Sequence, residues 1–431
     1  MQKDSKLEDI INSEGIVITS DLHGNYDILE NFLDYSQKNN YALAINGDVV
    51  DDYGFVETAN SIGYKTYSQL ELEYVSNLGD REKQLYQFYL LRNQIDSQGI
   101  ENILQSVDQQ NVEGAKKELE MIVEETSKEE FKNYILDIKK NFQEEKSEEI
   151  KENILGLRAL YQVVMDEHAK ELASRLNNYS DVKVLFNHGN HENSYFATMV
   201  KGYLKNPGQL VDLNESEGYQ RIVNSQGEEI KLAGTTNCLQ TMPYLNEIFS
   251  PEDISNLYYH MNLDSLSNND LISMGEISEE DLENLSYKQD REYQRIKQGE
   301  ESSLDILLTH GQIGTPYLSK DRKGSNVPYL TSAAALGLES KLIVEGHIHN
   351  KYEGENDLGV YTLRPVGNEA SVIYKDKDGQ INNEWLQVSD NYDVNLQGNL
   401  PYSKEYLTKR VNEFLSEMYN LNNQKETEFI D

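Results

Sequence analysis

Short apolar runs, each ending at a polar break, are the most regular feature of this chain. Ile16 to Thr19 and Tyr41 to Ile45 have the composition of buried strands. Between them, Ile28/Phe32 and Leu29/Leu33 stand one helical turn apart, which predicts an amphipathic helix. A strand, a helix and a second strand form a βαβ unit, so we expect parallel pairing. Further strands of this type are predicted at 182–186, 304–309 and 341–345.

Each of these five strands is followed by side chains that can bind metals or carry protons. The carboxyl ends of strands are where sites form in α/β sheets. Five of the eight histidines in the chain occupy these positions, a concentration that scatter would not readily produce. In chain order the strand ends carry Asp21/His23, Asp48/Asp51, Asn190/His191, His310 and His347/His349.

The segments between these strands differ in character. Residues 63–151 are charged, with apolar residues at helical spacing, and predict a helical insertion rather than a disordered spacer. Residues 243–300 predict a second, acidic helical insertion within a discontinuous core of residues 1–62 and 152–400. Asn224 to Gly227 marks a hairpin, short strands close the core, and residues 401–431 contain a C-terminal amphipathic helix. His168, among charged helical neighbours, is expected in solvent.

Charge and composition limit the classes of function. A formal net charge of −36 argues against binding to extended nucleic acid. A phosphate-containing substrate would need local positive charge, for which metal ions are the best source. The lone cysteine, Cys238, is expected to be a small core residue. No signal peptide and no membrane-length apolar run is present, which favours a cytoplasmic protein with no membrane role and leaves export without an N-terminal signature open.

The ligand types at the strand ends indicate a particular metal chemistry. Imidazole nitrogens together with carboxylate and amide oxygens suit manganese, iron or zinc, with manganese favoured in vitro, and do not suit calcium. The candidates are too numerous for one ion and about right for two divalent ions that share a carboxylate. Two such ions can clamp a phosphoryl group and lower the pKa of a bound water.

Five motifs in this order carry a family resemblance. They are Asp21-x-His23-Gly-Asn, Gly47-Asp48-x-x-Asp51, Gly189-Asn190-His191-Glu192, His310-Gly311 and Gly346-His347-x-His349. The chain resembles the calcineurin-like metallophosphoesterases over about half of its length, outside both insertions. The resemblance implies an α/β fold, a four-layer α/β/β/α sandwich with two mixed sheets. It also implies in-line attack on a phosphate ester by a metal-bound hydroxide at a dinuclear site.

The resemblance also implies a role for each matching residue. His191 would bind the phosphoryl oxygen or protonate the leaving group, with Asp51 orienting it. A nearby carboxylate favours the imidazolium that a general acid needs. The metal ligands would be Asp21, His23 and His349 at the first ion, Asp48 between the ions, and Asn190, His310 and His347 at the second.

Two departures leave the substrate open. The motifs around Asp48 and Asn190 resemble phosphoprotein phosphatases, but Asp52 stands where those enzymes place a phosphate-gripping arginine. Either another cation replaces that arginine in substrate binding, with Arg364, Lys351, Lys323 and Arg322 as candidates, or the substrate differs. The Gly-His-x-His ending is closer to nucleotide hydrolases and phosphodiesterases. We therefore expect a phosphomonoester or phosphoprotein phosphatase, with a nucleotide or small-molecule phosphodiesterase or pyrophosphatase as the alternative.

A different class of function competes with both. A non-catalytic scaffold of the same fold could bind a protein partner through the helical insertions. Such scaffolds commonly lack part of the ligand set, whereas every ligand position is filled here.

Overall fold

The computed structural model describes residues 10–50, 55–79, 83, 86, 128–189, 191–192, 195–216, 218–235, 296, 304–311, 339–347, 349–356, 359–388 and 402–428. Several predicted features lie outside the described residues. These are Asp51, Asn190, Cys238, Arg322, Lys323 and almost all of the second helical insertion.

The first sheet has six strands in the order β13-β12-β2-β3-β4-β5. Strands β2 to β5 are parallel, with Val17 opposite Leu43 and Ile45 opposite Phe186, which confirms the expected βαβ pairing. Strands β12 and β13 are antiparallel additions at one edge, so the sheet is mixed. Its strands are β2 (Gly15–Thr19), β3 (Tyr41–Asn46), β4 (Val184–Asn187), β5 (Leu210–Asp212), β12 (Glu369–Lys375) and β13 (Ile381–Gln387).

The second sheet has seven strands in the order β1-β6-β7-β8-β9-β11-β10. Its centre, β7-β8-β9-β11, is parallel, while β6 and β10 pair antiparallel to their neighbours β7 and β11. The predicted hairpin joins β6 to β7, with Gly227 at φ 85° in its turn. Its strands are β1 (Ile10–Asn12), β6 (Gln220–Val223), β7 (Glu229–Thr235), β8 (Ile306–Thr309), β9 (Leu342–Glu345), β10 (Tyr352–Glu355) and β11 (Tyr361–Arg364).

Seven α-helices are present in the part of the chain that the structure describes. Helix α1 connects β2 to β3, and its apolar stripe, which includes Phe32 and Leu33, is buried against the first sheet. The helices are α1 (Tyr26–Asn39), α2 (Phe55–Ile62), α3 (Tyr67–Ser76), α4 (Lys128–Glu145), α5 (Ser147–Asn178), α6 (Phe196–Tyr203) and α7 (Lys404–Glu428).

Alternation along the strands divides the core into layers. Ile16 and Ile18 of β2 point between the two sheets, where they meet Ile306 and Leu308 of β8. Val17 points the other way, toward helices α1, α5, α6 and α7. The outer face of the second sheet, with Leu307 and Ile343, contacts the helical residue Ile296. The predicted four-layer α/β/β/α sandwich with two mixed sheets is thereby confirmed.

The first predicted insertion is helical where it is described. Helices α3 and α4 pack together through small apolar clusters that include Val75 with Ile135, and Tyr67 with Phe142. Helix α5 then runs without a break from Ser147 to Asn178, across the predicted boundary between insertion and core at residues 151/152. The domain boundaries themselves stay a prediction.

The expectation that His168 lies in solvent was wrong. His168 is only 1% exposed, and its Nδ1 atom lies 2.8 Å from the hydroxyl of Tyr26 at the start of α1. The C-terminal helix α7 covers this side of α5 with the buried residues Leu407 and Val411. The charged residues next to His168 in the sequence suggested an exposed position, but α5 is covered on more than one face. Among the described helices, none combines the length and the apolar character needed to cross a membrane.

Candidate metal centre

The polar strand ends of the two sheets meet at one edge of the sandwich. The segments that follow β2 and β3 remain side by side. The N–H groups of Asp21, His23 and Gly24 donate to the carbonyls of Gly47, Asp48 and Val49 at 2.7–3.1 Å. Because this ladder continues the parallel register, Asp21 and Asp48 are brought to the same place. The second sheet contributes His310 after β8 and His347 after β9.

Four of the residues at this edge have left-handed backbone. The φ angles are 56° at Asp21, 43° at His23, 52° at Asp48 and 64° at His347. Non-glycine residues rarely adopt this region, and holding one there costs about 1–3 kcal/mol. The hydrogen bonds between the two loops sustain this backbone, which turns the side chains toward one another directly after each strand. Such strain clusters at functional sites.

Two glycines allow the loops to approach closely. Gly47 has a φ of 82°, and a Cβ there would lie 2.4 Å from Nδ1 of His310 and 2.6 Å from Cα of Gly189. A Cβ on Gly346 would lie 2.2 Å from Oγ of Ser20. Glycine is therefore needed at these two positions for a steric reason, because a larger residue would force the ligand-bearing loops apart.

The first ligand group consists of Asp21, His23, Asp48 and His349, whose donor atoms lie within 4.8 Å of one another. Nε2 of His23 and Nε2 of His349 are 3.0 Å apart, and Nε2 of His349 is 3.4 Å from Oδ1 of Asp21. Asp21 and Asp48 are almost completely buried. The structure thus brings together the residues predicted for the first ion and the carboxylate predicted to be shared.

The second group consists of Asp48, His310 and His347, with donor atoms again within 4.8 Å of one another. Nε2 of His310 lies 3.0 Å from Oδ2 of Asp48. On the other side of the ring, the Nδ1–H of His310 donates to the carbonyl of Asn46 at 2.7 Å. That bond fixes the ring orientation and leaves Nε2 facing the site.

The ionisable side chains of the site shift one another's pKa values. Burial and the charge on His191 lower the pKa of His23 to about 4, and burial and the charge on His310 lower the pKa of His347 to about 4. Burial also opposes the imidazolium of His310, but Asp48 outweighs it and raises the pKa of His310 to about 9. Neutral imidazoles at His23 and His347 are the form that binds a metal ion.

Both buried carboxyls are acidic for the same kind of reason. Burial raises the pKa of Asp21, but the hydrogen bond from His349 and the charge of His310 outweigh it. For Asp48, the charges of His310 and His191 overcome the effect of burial and hold the pKa well below its usual range. Both side chains are thus ionised and ready to serve as ligands at neutral pH.

His191 stands at the edge of these groups. Its backbone N–H donates to Oδ1 of Asp48 at 3.1 Å, and its Nε2 lies 3.8 Å from Oδ2 of the same residue. The ring is perpendicular to that of His23, with centroids 5.0 Å apart. The ring is therefore adjacent to the carboxylate shared by the two ligand groups without belonging to either group.

Sequence reasoning gave no role to Glu192, which joins two of the loops at this edge. Its Oε1 accepts the N–H groups of Val49 and Val50 at 2.6 and 3.0 Å. Its Oε2 accepts those of Asp48 and Gly189 at 3.1 and 2.7 Å. One carboxylate, 1% exposed, thus joins the loop after β3 to the loop after β4. The glutamate of the Gly-Asn-His-Glu motif was the available signal, but spacing does not reveal its partners.

The remaining candidates are placed as follows. The guanidinium of Arg364 is buried and donates to Glu345 and Asn350, both at 2.7 Å, so its predicted role in substrate binding stays a prediction. His188, outside the predicted pattern, is buried with its Nε2 3.1 Å from Oδ2 of Asp212. Asp51 and Asn190 lie outside the described residues, and their roles stay predictions.

Comparison with known proteins gives one family. A model of the calcineurin-like phosphoesterase family matches residues 15–143. No curated protein matches the chain.

Two solved structures give weak similarities. Phosphopantetheinyl hydrolase (PptH) from Mycobacterium tuberculosis is 12% identical, with 82% of this chain and 90% of that chain covered at a TM-score of 0.33. A dimetal phosphatase from Danio rerio is 8% identical, with 83% and 94% covered at a TM-score of 0.32. Neither similarity is high enough to indicate a function.

The donor set itself fits divalent metal ions. Two buried carboxylates and four imidazoles converge within a few ångströms, and imidazole with carboxylate suits first-row transition metals. Proteins of the matched family are metal-dependent phosphoesterases, and these residues are candidates to bind the metal. The family match confirms the resemblance over residues 15–143, which carry the first two of the five motifs: this part of the chain is similar to calcineurin-like phosphoesterases.

Proposed function

We propose that this protein hydrolyses a phosphate ester at a site for two divalent metal ions. The observation that carries the proposal is the position of Asp48, whose carboxylate belongs to both candidate ligand groups. A carboxylate that belongs to both groups can bridge two ions, which in two-metal sites lie about 3.5–4 Å apart. The first ion would be held by Asp21, His23 and His349, and the second by His310 and His347 with the predicted ligand Asn190.

Two ions in these positions would polarise the phosphoryl oxygens and lower the pKa of a bound water. They would also supply positive charge to a chain whose net charge of −36 otherwise repels phosphate. The protein's own part is to hold the donor atoms in place. It does so with the ionised carboxylates of Asp21 and Asp48, the neutral imidazoles of His23 and His347, and a His310 ring orientation fixed by the carbonyl of Asn46.

His191 is proposed to act on the substrate rather than on the metal. Its ring lies beside Asp48 and His23 but outside both ligand groups. From there it would donate a hydrogen bond to a phosphoryl oxygen or a proton to the leaving oxygen. Asp51 is proposed to orient it.

For the substrate we propose a phosphomonoester or a phosphoprotein, since the Gly47-to-Asp51 and Gly189-to-Glu192 motifs resemble those of phosphoprotein phosphatases. The Gly346-to-His349 motif supports a phosphodiester as the second candidate. Manganese is the ion proposed for the assay, and the cytoplasm the proposed location.

The test is release of p-nitrophenol from p-nitrophenyl phosphate and from bis(p-nitrophenyl) phosphate, with Mn²⁺ added to metal-depleted protein. We expect metal-dependent turnover of at least one ester. Asp48→Asn should lower kcat roughly 100-fold or more, because several kcal/mol of charge stabilisation depend on the metals. Asp181→Asn, a change at an exposed position, is the matched control and should retain full activity.

The ratio of rates on the two esters separates monoesterase from diesterase. Absence of turnover on both esters with manganese, iron and zinc would contradict the proposal and favour the scaffold alternative. Turnover that Asp48→Asn leaves unchanged would mean that a contaminating enzyme is responsible.

A further inference from the structure

The loop between β9 and β10 carries one candidate ligand for each metal. His347 belongs to the second ligand group and His349 to the first. The loop leaves β9 at Glu345, and His347 has a left-handed φ of 64°. The backbone N–H of His347 donates to Oδ1 of Asp21 at 2.9 Å. Both ligand groups therefore depend on the conformation of these few residues.

Arg364 contacts this loop at both of its ends. It is the last residue of β11, which pairs parallel to β9 with Leu363 opposite Val344. One terminal nitrogen of its guanidinium donates to Oε2 of Glu345 at 2.7 Å, just before the loop. The other donates to Oδ1 of Asn350 at 2.7 Å, just after it. The residues between these two anchors are Gly346 to His349.

The guanidinium has features of a fixed structural group. Its side chain is 7% exposed, and Glu345 is 3% exposed. The ring of Tyr352 lies 5.4 Å from its central carbon. Both terminal nitrogens are engaged, so a substrate phosphate would have to displace Glu345 or Asn350. Asn350 itself is exposed, which leaves Arg364 as its described side-chain anchor.

We infer that Arg364 is a positioning residue that holds the Glu345-to-Asn350 loop closed, so that His347 and His349 reach the two metal ions together. The inference rests on the proposed two-metal site and replaces the substrate-binding role predicted for Arg364. A planar guanidinium can bridge two acceptors with separate nitrogens, whereas the single ammonium of a lysine holds one position. Loss of a group that orients metal ligands typically weakens metal binding by about 10–100-fold.

The experiment measures Mn²⁺ affinity of the full chain by titration calorimetry without substrate. Arg364→Lys keeps the charge but removes the two-ended bridge, and Asn350→Ala removes one anchor at an exposed position. We expect each variant to weaken Mn²⁺ binding roughly 10-fold or more, within the range for groups that orient ligands. The double variant should bind no more weakly than the worse single variant, because both changes break one bridge.

The matched control is Asn39→Ala, at an exposed asparagine near the far end of α1 from the site. It should leave Mn²⁺ affinity unchanged. Unchanged affinity in both Arg364→Lys and Asn350→Ala would overturn the inference. If Arg364→Lys alone raised KM for the ester and Mn²⁺ affinity stayed constant, Arg364 would be a substrate-binding residue instead.

Failure of this inference can be distinguished from failure of the proposed function. Protein that binds Mn²⁺ through this loop but turns over no ester contradicts only the proposed reaction. If wild-type protein binds neither Mn²⁺ nor Zn²⁺, the inference is contradicted. The ester assay then tests the proposed reaction independently.

Discussion

The contact between His310 and Asp48 dominates the electrostatics of the candidate metal centre. Their Nε2 and Oδ2 atoms are 3.0 Å apart, and both side chains are buried. Burial disfavours the charged imidazole, yet Asp48 raises the pKa of His310 to about 9. At neutral pH and without metal, a proton on His310 therefore occupies the atom that would bind the second ion.

Metal binding should for this reason release a proton. Nε2 of His310 must be deprotonated to bind a metal ion, so from pH 7 to about 9 a proton has to leave. We expect the apparent Mn²⁺ affinity of the second site to rise with pH up to about 9 and then level off. Calorimetric titration at pH 7.5 in two buffers of different ionisation enthalpy should give about one proton released per protein molecule.

His310→Gln is the control for this proton. It removes the titrating group, so the buffer dependence should disappear along with binding at the second site. Binding enthalpies that are the same in both buffers for wild-type protein would show that His310 is already neutral, and would contradict the raised pKa.

The loops at the strand ends are the elements that make the site. Their apolar strands were predictable, because four- to six-residue runs of Val, Ile and Leu are typical of buried strands. The contacts between the loops were not, since they join residues far apart in the chain. Glu192 shows this best: it accepts hydrogen bonds from Asp48, Val49 and Val50, more than 140 positions earlier.

Loss of the Glu192 carboxylate should loosen both loops. In Glu192→Gln one carboxylate oxygen becomes an NH₂ group. This NH₂ group cannot accept the hydrogen bonds of the backbone N–H groups that it faces. Leaving such buried donors without a partner costs about 1–3 kcal/mol, and more where a charge is involved. We expect unfolding in urea to show a loss of about 2–4 kcal/mol, accompanied by weaker Mn²⁺ binding.

Glu405→Gln provides the comparison at an exposed position in the first turn of α7. It should change stability by no more than about 0.5 kcal/mol. Equal stability of Glu192→Gln and wild type would mean that the four N–H groups find other partners.

Three strands were not predicted, and they share a position in the fold. β1, β5 and β10 each lie at the edge of a sheet and have three or four residues. β10, Tyr-Glu-Gly-Glu, alternates half-buried with exposed residues and has no apolar run. Edge strands form because a neighbouring strand offers hydrogen bonds, so their own sequence gives little indication of a strand.

At the scale of the whole molecule, polar contacts join the two sheets at both ends. Near the site, the side-chain amide of Asn46 on β3 donates to the carbonyls of Thr309 and Val344 in the other sheet. At the opposite end, Asp305 accepts hydrogen bonds from Lys375 of β12 at 2.8 Å and from Lys341 at 2.7 Å. Asp305 thus links the sheets before β8 begins.

Asp305 should make the stability of the molecule depend on pH. Burial raises its pKa, but the hydrogen bonds from Lys341 and Lys375 outweigh burial and lower it. Because the pKa of Asp305 is lower in the folded state, its ionised carboxylate stabilises the fold. This stabilisation is complete above the unfolded-state pKa of about 3.9, and it is lost as the pH falls through the folded-state pKa. Asp305→Asn should therefore cost about 1–3 kcal/mol at pH 7 and pH 5, and less below pH 4.

Urea unfolding of wild type and Asp305→Asn at pH 7, 5 and 3.5 measures this difference. Asp378→Asn, an exposed turn residue, should give the same stability as wild type at all three values. A difference between wild type and Asp305→Asn that grew as pH fell would reverse the predicted sign.

The order of the five motifs was enough to indicate the family, the two-sheet fold and the set of candidate ligands, because strand ends and ligand types are local properties. Their grouping depended on tertiary structure: the ladder between the loops, the close approach at Gly47 and the shared position of Asp48 arise only when two sheets meet. The same holds for His168, Glu192 and Arg364. His168 and Glu192 have partners more than 140 positions away, and Arg364 has partners 14 and 19 positions away on other elements, so no local pattern encodes these contacts.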